Sequence, residues 1–421
     1  MSGEPRTLLF FTESFPYDVA HEDTFVQPLL PSLIDAFGTV IVFPWRRGGG
    51  THHLPPGVEL EESLAQSLDG LSPWEIARSA MTSSITRADL AAQPRLLASP
   101  RAVKRLAIAA GRAEATRRWL DRFLASRAVS ASRIVAFTFW FDHVTLGLAL
   151  ARSRHPDLVL ATRVNGSDLY RERHRPPYLP GQRAALRSID LLFAASEHAN
   201  GYVRDRYPGF DRSVVARLGV GDPGFVSRPS DPGRLVIVSC SSLVPVKRVP
   251  LLARGLRSLA ERQPETRFEW HHFGDGPARP EVEHAVRSFP VNASAVLHGH
   301  TSNSEIISFY RDEAVDLFVN ASSSEGGAPV AVVEAASVGI PILATRVGGN
   351  PEIVSGRNGA LLSADPTEDE LADGVFRLFA DPSAVAAKRA ESRRIWHEGF
   401  RADVNARTFA RRLSDIRGAR R

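Results

Sequence analysis

The sequence predicts an α/β protein built from two Rossmann-like, doubly wound domains. Three observations predict it. The chain has 421 residues, too many for one hydrophobic core and suited to two α/β domains of roughly 200 residues each. Apolar runs of strand length alternate with segments of helical period, the pattern of parallel sheets with helical crossovers. Midway, GVGDPGFVSRPSDPG at 219–233 is rich in Gly and Pro, has little to bury, and reads as an interdomain hinge. The expected division is an N-terminal domain over 1–220, a C-terminal domain over 234–385, and helices over 386–421 that pack back toward the first domain.

Each element has a local reason. TLLFFT (7–12) is a buried first strand, followed by the loop ESFPYDVAHEDTF. A helix over 26–37, with Pro28 and Pro31 early in it, leads to the strand TVIVF (39–43). No Gly-x-Gly-x-x-Gly follows the first strand, so a dinucleotide is not expected at this sheet edge. Residues 46–75 read as irregular, with RRGGGTHHLPPG as a flexible loop, and 73–127 as helical with breaks near Pro94 and Pro100. Strands are expected at 134–139, 158–164, 191–195 and 214–218, with helices over 141–153, 183–188 and 198–207 between them.

The second half opens with RLVIVSCSSLVPVKR, a strand running into a loop that ends near Lys247. Helices over 249–263, 280–289 and 305–311 alternate with strands at 266–273 and 295–298. DLFVNASSSEGGAPVAVVEAASVGIPILATRVGG then reads as one βαβ unit. Its parts are a strand over 315–320, a loop of small residues over 321–328, a helix over 330–338 and a strand over 342–345. Pro329 falls at the helix start, where no amide bond is lost, and Gly339 with Pro341 stops the helix. The unit implies a parallel sheet and a right-handed crossover. NPEIVSGRNGALL closes with a turn and a short strand, and two helices complete the chain.

Composition is that of an ordinary globular protein, with 43% hydrophobic and 24% charged residues. Cys240, the one cysteine, excludes a disulfide framework and a cysteine-based metal site and is expected as a core thiol. The start, MSGEPRTLLFF, carries an acid and only a strand-length apolar run, so no signal peptide is expected. No run reaches the length of a membrane span. The expected location is cytoplasmic, or peripheral on the inner face of the cell membrane. The net charge is +5, and it is concentrated. Residues 101–127 hold eight Lys/Arg against Glu114 and Asp121, and 386–421 hold eleven against four acids. The first segment has apolar residues at helical spacing, with Trp119 and Phe123 on the apolar side. It is either an interfacial helix on an anionic membrane surface or a solvated face packed on its own domain. No recognition motif accompanies the charge, so no nucleic-acid partner is expected.

Two carboxylates mark the βαβ unit. Glu325 lies in the loop before the helix, and Glu334 lies inside an otherwise apolar helix, where a lone carboxylate is costly without a partner. SSSEGGAP presents backbone amides at a helix N-terminus, a site for an anion. Phosphates and sugar hydroxyls together would suit this set. The alternative is a Gly-rich turn with a capping Glu and a partly exposed helix Glu. Lys247 ends the loop after the first strand of the same half and faces the same sheet edge. Its ammonium could neutralise a diphosphate; the alternative is an exposed loop lysine.

With SSLVPVKR, FGDGP, the HGH segment, SSSEGGAPVAVVEAASVGIPILATRVGGNPEIV and NGALL in this order over 235–362, the chain resembles the retaining glycosyltransferases of family 4. The first half is similar to members that assemble bacterial surface polysaccharides, through FTESFPY with EDTF, FWFDH, RVNGSDLYRER, AASEH and RLGV. The resemblance implies the GT-B fold, two Rossmann-like domains facing across a cleft. It implies that Glu325 contacts the donor sugar, Glu334 the ribose hydroxyls, and Lys247 the diphosphate. Further donor contacts are implied at Ser242, Arg248, Gly274, Gly299, Gly326, Gly327, Ala328, Pro329 and Val330. In the first domain Asn165 and Asp168 are catalytic candidates, and Glu13, Tyr17 and His21 lie on the acceptor side.

The chain departs from the family pattern in three places. Eight residues, not seven, separate Glu325 from Glu334. Ser242 stands where the family often has Arg. Asn165 stands before Gly166 where many relatives have His, and Asn cannot take a proton. Asp168 is then the better polar contact of the first domain, or else an Asx-turn residue. The expected activity is transfer of a hexose from a nucleotide diphosphate sugar to a hydroxyl of a glycan or lipid-linked glycan, with retention and closure about 219–233. No Asp-x-Asp pair appears, so no metal is expected, and no cofactor beyond the donor substrate. The alternatives are an inverting GT-B transferase, a sugar-nucleotide epimerase, and a non-catalytic nucleotide-sugar-binding partner.

Overall fold

The computed structural model describes residues 6–19, 22–127 and 130–416. The expected acceptor-side residue His21 lies outside them. The chain divides into two compact units, Met1–Ala216 with Ala406–Arg421, and Arg217–Asn405.

Unit 1 holds a seven-stranded sheet. Its strands are β1 (Thr7–Thr12), β2 (Thr39–Pro44), β3 (Val58–Leu60), β4 (Ile134–Thr138), β5 (Val159–Val164), β6 (Leu191–Ala194) and β7 (Ser213–Val215). The order is β3-β2-β1-β4-β5-β6-β7, all parallel. Both faces are covered, so the central strands are near-continuous apolar runs, and Leu8 to Phe11 are at most 2% exposed.

The helix Pro100–Arg127 belongs to this core. Phe11 stacks on Phe43 at 4.9 Å, Trp119 meets Phe43 edge-on at 5.1 Å, and Trp119 stacks on Phe123 at 5.2 Å. The apolar side that an interfacial helix would turn to lipid therefore covers the sheet, where each such ring contributes about 2–3 kcal/mol. Arg101, Lys104, Arg118 and Arg122 remain on the outer side. At the C-terminal end of the chain, Phe409 packs on Phe137 and Phe193, with ring centroids at 5.1 and 4.7 Å.

Unit 2 holds β8 (Arg234–Cys240), β9 (Arg267–Phe273), β10 (Ala293–Gly299), β11 (Leu317–Asn320), β12 (Ile342–Thr345) and β13 (Gly359–Leu362). The order is β10-β9-β8-β11-β12-β13, again all parallel. The helix Val249–Arg262 packs on one face beside Glu368–Phe379, and Val330–Ser337 lies on the other face against Pro382–Gly399.

Three stretches differ from the sequence expectation. Residues 46–75 are not irregular throughout: they contain β3 and the helix Ser63–Asp69. β3 is three residues at a sheet edge, too short to show a period. The glycine loop is tied down as well, since Tyr17 bridges Thr51, Asp18 N–H donates to Gly50 O at 2.9 Å, and His52 N–H donates to Pro16 O at 2.8 Å. The stretch 219–230 is held along unit 2. Val220 bridges Arg401 and accepts from Trp396 Nε1 at 3.1 Å, and Ser227 N–H donates to Val338 O at 2.9 Å. Its backbone is satisfied by distant partners, which composition does not reveal. Three helices, not two, follow β13 among the described residues, because Pro382 starts one and the backbone leaves helical geometry at Phe400 before the next.

Candidate functional site

In unit 2 the chain leaves β8 for β9 and β10 on one side and returns to β11 on the other. The loops at the carboxyl ends of β8 and β11 therefore part from each other, and such a switch point is where open α/β sheets bind ligands. The two loops are joined: Ser323 N–H donates to Val246 O at 2.8 Å, and Ser323 Oγ donates to the same oxygen at 3.2 Å. That bond brings Lys247, at the end of a 3-10 turn, to Glu325. Lys247 Nζ donates to Glu325 Oε1 at 2.6 Å, and Asn320 Nδ2 approaches the same oxygen at 3.4 Å. Glu325 is only 7% exposed. A carboxylate so buried persists where a cation and donors meet it.

Backbone approach at this edge depends on glycine. Gly348, after β12, has φ 51°, and a Cβ there would lie 1.9 Å from Glu325 O. A Cβ on Gly349 would lie 2.2 Å from the carbonyl carbon of Gly327. The loop carrying Glu325, Gly326, Gly327 and Ala328 thus rests directly on the backbone after β12. Thr345 Oγ1 adds a bond to Ser322 O at 2.5 Å. On the other side, Gly274 and Gly276 have φ 133° and 154° and press against Ser241 O and Leu243 O. Gly274 N–H donates to Gly299 O at 2.8 Å, so these two expected donor contacts sit in one bridge.

Pro329 is the N-cap of the helix Val330–Ser337, with extended ψ of 137°. Glu334 lies in the middle of that helix, flanked by buried Val333 and Ala335, and is 4% exposed. One donor reaches it, Asn303 Nδ2 at 2.5 Å. Desolvation pushes its carboxyl up to about 7, with the Asn303 bond pulling the other way. Asn303 was not foreseen, because behind the Ser302 cap it reads as an exposed first-turn residue. Cys240, half-buried at the end of β8, has its thiol pushed up to about 12 by burial and the nearby Glu334 charge. Ser242 is exposed. Arg248 adopts φ 51° and turns to the loop after β13, donating to Ala364 O at 2.9 Å and pairing with Asp365 at 2.9 Å.

Unit 1 has its own switch point, between β1 and β4. Glu22, buried at 1% exposure, organises the loop after β1. Its carboxylate accepts from the amides of Glu13, Ser14 and Phe15 at 3.1, 2.5 and 3.0 Å and from Trp140 Nε1 at 2.5 Å. Asp168 acts likewise after β5, accepting from Asn165 N and Gly166 N at 2.9 and 2.8 Å and from Phe141 N at 3.0 Å. Desolvation raises its pKa against the pull of those amides. Asn165 spans Arg163 Nε, from which it accepts at 2.8 Å, and Phe139 O, to which it donates at 2.8 Å. Arg163, itself buried, donates to Ala216 O at 2.7 Å, and desolvation lowers its pKa to about 10. Glu13 pairs with Arg46 at 2.7 Å, and Tyr17 is engaged in the bridge to Thr51.

These loops and the helix Pro100–Arg127 enclose a cavity of about 570 Å³ lined by Trp45, Trp140, Asp142, His143, Lys104 and Asp168, among others. Asp142 caps the helix His143–Ala151 through Oδ1, and desolvation pushes its carboxyl up to about 7, with the charges of Glu13 and Asp168 adding. Desolvation pushes the His143 imidazole down to about 3, so it is neutral near pH 7. FWFDH supplies part of this lining, but no spacing in the sequence separates cavity walls from core. Among the described residues no cluster of three His, Cys, Asp or Glu is arranged to hold a metal, and no helix is long and apolar enough to cross a membrane.

With that geometry in place, residues 234–381 match the family model described as glycosyl transferases group 1. This segment is similar to a group 1 glycosyltransferase domain. It contains Lys247, Glu325 and Glu334. The chain is 24% identical over 281 residues to WcaL of Escherichia coli K12, a glycosyltransferase assigned provisionally by its name to colanic acid biosynthesis. That match spans 64% of this chain and 67% of WcaL. Among solved structures, the lipopolysaccharide outer core galactosyltransferase WaaB superposes with a TM-score of 0.66 at 13% identity, over 97% of this chain and 98% of WaaB. Anabaena HepE in complex with UDP and glucose gives 0.62 at 15% identity, over 97% and 99%. The fold is GT-B, with two parallel-sheet α/β domains.

Proposed function

We propose that this chain is a retaining glycosyltransferase. It moves a hexose from a nucleotide diphosphate sugar to a hydroxyl of a glycan or lipid-linked glycan in surface polysaccharide synthesis. One observation carries the reading: a lysine and a buried carboxylate, Lys247 and Glu325, meet at 2.6 Å at the sheet switch point within the segment that matches the group 1 family model. Likeness to WcaL supports the polysaccharide setting, and HepE with UDP and glucose supports the donor class.

In this reading Lys247 exchanges its bond to Glu325 for the donor diphosphate and stabilises the charge that develops as the sugar departs. The amides of Gly326 and Gly327 and the helix start at Pro329 face the same anion. Glu325 then accepts from sugar hydroxyls, and Glu334 from those of the ribose. The departing phosphate oxygen takes the acceptor proton on the same face, so no protein nucleophile is required. The enzyme works at the inner face of the cell membrane. Any hold there rests on the outer charges of the helix Pro100–Arg127, because its apolar side is in the core.

The test is a screen of nucleotide sugars against a mixed lipid-linked acceptor pool, with mass analysis and the product's anomeric configuration by NMR. A retained hexosyl product supports the proposal, and interconversion of donor without acceptor sinks it. One observation favours a second reading: Asp142, raised to about 7 beside the unit 1 cavity, has the proton affinity of a general base for inverting transfer. An inverted product selects that reading.

A further inference from the structure

We propose that the unit 1 cavity takes a sugar bearing an anionic group, a phosphoryl ester or carboxylate, as the acceptor. The inference deepens the function above and rests on that reading. Three observations carry it. First, Arg101, Lys104 and Arg175 line the cavity, and none of their side chains has a hydrogen bond or ion pair among the described residues. Other exposed cations of unit 1 are paired, as with Arg46 and Glu13 at 2.7 Å or Arg127 and Glu61 at 3.1 Å, whereas these three share one cavity without a partner among the described residues.

Second, the carboxylates on the same walls do not offset these cations. Glu13 is paired with Arg46, which leaves Asp168, held by three backbone amides, and Asp142 against Arg101, Lys104 and Arg175. Arg105 adds a further charge, its guanidinium donating only to carbonyl oxygens, at 3.1 Å to Pro176 and 2.8 Å to Tyr178. A cavity whose cations outnumber its free carboxylates draws anions in and rejects cations.

Third, the walls suit a sugar ring. Trp45, Trp140 and Phe141 supply aromatic surface, and among the described residues Asp142 engages Oδ1 alone, in capping the next helix, which leaves Oδ2 for a hydroxyl. About 570 Å³ is room for one or two sugar units with a charged substituent. A lipid-linked phosphoryl sugar and an acidic sugar within a glycan both carry the required charge.

The experiment is a 19F NMR titration of the full chain labelled with 5-fluorotryptophan, following the Trp45 and Trp140 resonances. The probes are glucose 1-phosphate, glucuronate and methyl glucoside. The charged probes are expected to shift both resonances with Kd values at least tenfold below that of the neutral glucoside. The advantage should shrink with added salt and fall to within threefold in the Arg101→Gln/Lys104→Gln/Arg175→Gln variant. The exposed single variant Lys104→Gln should show part of the same loss if the triple variant folds poorly. Equal affinity for charged and neutral probes, or a preference untouched by both variants, overturns the proposal. The preference of glucose 1-phosphate over glucuronate, or the reverse, separates the lipid-phosphate source from an acidic glycan. UDP titration by calorimetry, run in parallel, reports the donor reading separately: loss of UDP binding with intact anion preference removes the donor assignment alone.

Discussion

Lys247 and Glu325, 78 residues apart, meet in a bond of 2.6 Å that closes the loops of β8 and β11 over one another. In the proposed function this pair holds the lysine in reserve for the donor. Its carboxylate is mostly buried and its ammonium about one-fifth exposed, so an incoming anion can reach the lysine from outside.

Lys247→Ala should lower kcat at least 10²-fold, the scale of losing one preorganised charge at a departing group. It also strands Glu325, at about 1–3 kcal/mol of stability. Steady-state kinetics and urea denaturation read the two effects. Near wild-type turnover would show that the donor-site assignment is wrong.

Glu325→Gln separates binding from turnover. It frees Lys247 from its internal partner, so UDP affinity measured by calorimetry should rise severalfold while kcat falls. A parallel loss of both would mean that Glu325 holds the loop rather than competes for the lysine.

Glu334 predicts a pH dependence of stability. Its folded pKa is raised, to about 7. The folded state therefore binds more protons than the unfolded one between the ordinary glutamate value and about 7, and stability falls as pH rises through that window. Glu334→Gln should raise Tm at pH 8 and leave it nearly unchanged at pH 5. Asn303 Nδ2 can still donate to the new amide oxygen. Thermal scans at both values check this, and a Tm shift of equal size at the two would refute the buried-proton account.

Gly348→Ala tests the loop support. The added Cβ would fall 1.9 Å from Glu325 O at a φ of 51°. The carboxylate must then move, and UDP binding should weaken at least tenfold. Gly356→Ala, which meets nothing within 4 Å, is the control and should bind as wild type does.

Glu22→Ala removes the acceptor of three amides and of Trp140. Unit 1 should lose about 2–4 kcal/mol, read by denaturation and by a red shift of tryptophan emission. Activity at low temperature should fall through KM for acceptor rather than for donor.

Much of the candidate site in unit 2 was legible in the chain. The βαβ unit around residues 317–345 is written in short apolar runs, a proline at the helix start and a glycine at its end, all local effects. The unit 1 cavity was far less legible. Trp45, Trp140 and His143 look like core residues, and Glu22 looks like one acid in a polar loop, because what each touches lies far away in sequence. The helix Pro100–Arg127 shows the same limit, since an apolar stripe does not say whether lipid or a sheet will cover it. Trp119 and Phe123 answer only through Phe11 and Phe43.

By itself, then, the sequence determined two parallel α/β sheets and the glutamate-bearing loop at an edge of the second, since period, caps and turns act within a few residues. The tertiary structure decided which charges are neutralised. It joined Lys247 to Glu325, left Arg101, Lys104 and Arg175 without a side-chain partner among the described residues, and closed Asp168 among amides. The physical reason is that an electrostatic partner is chosen by distance in space, which strand order, loop contacts and helix packing set together.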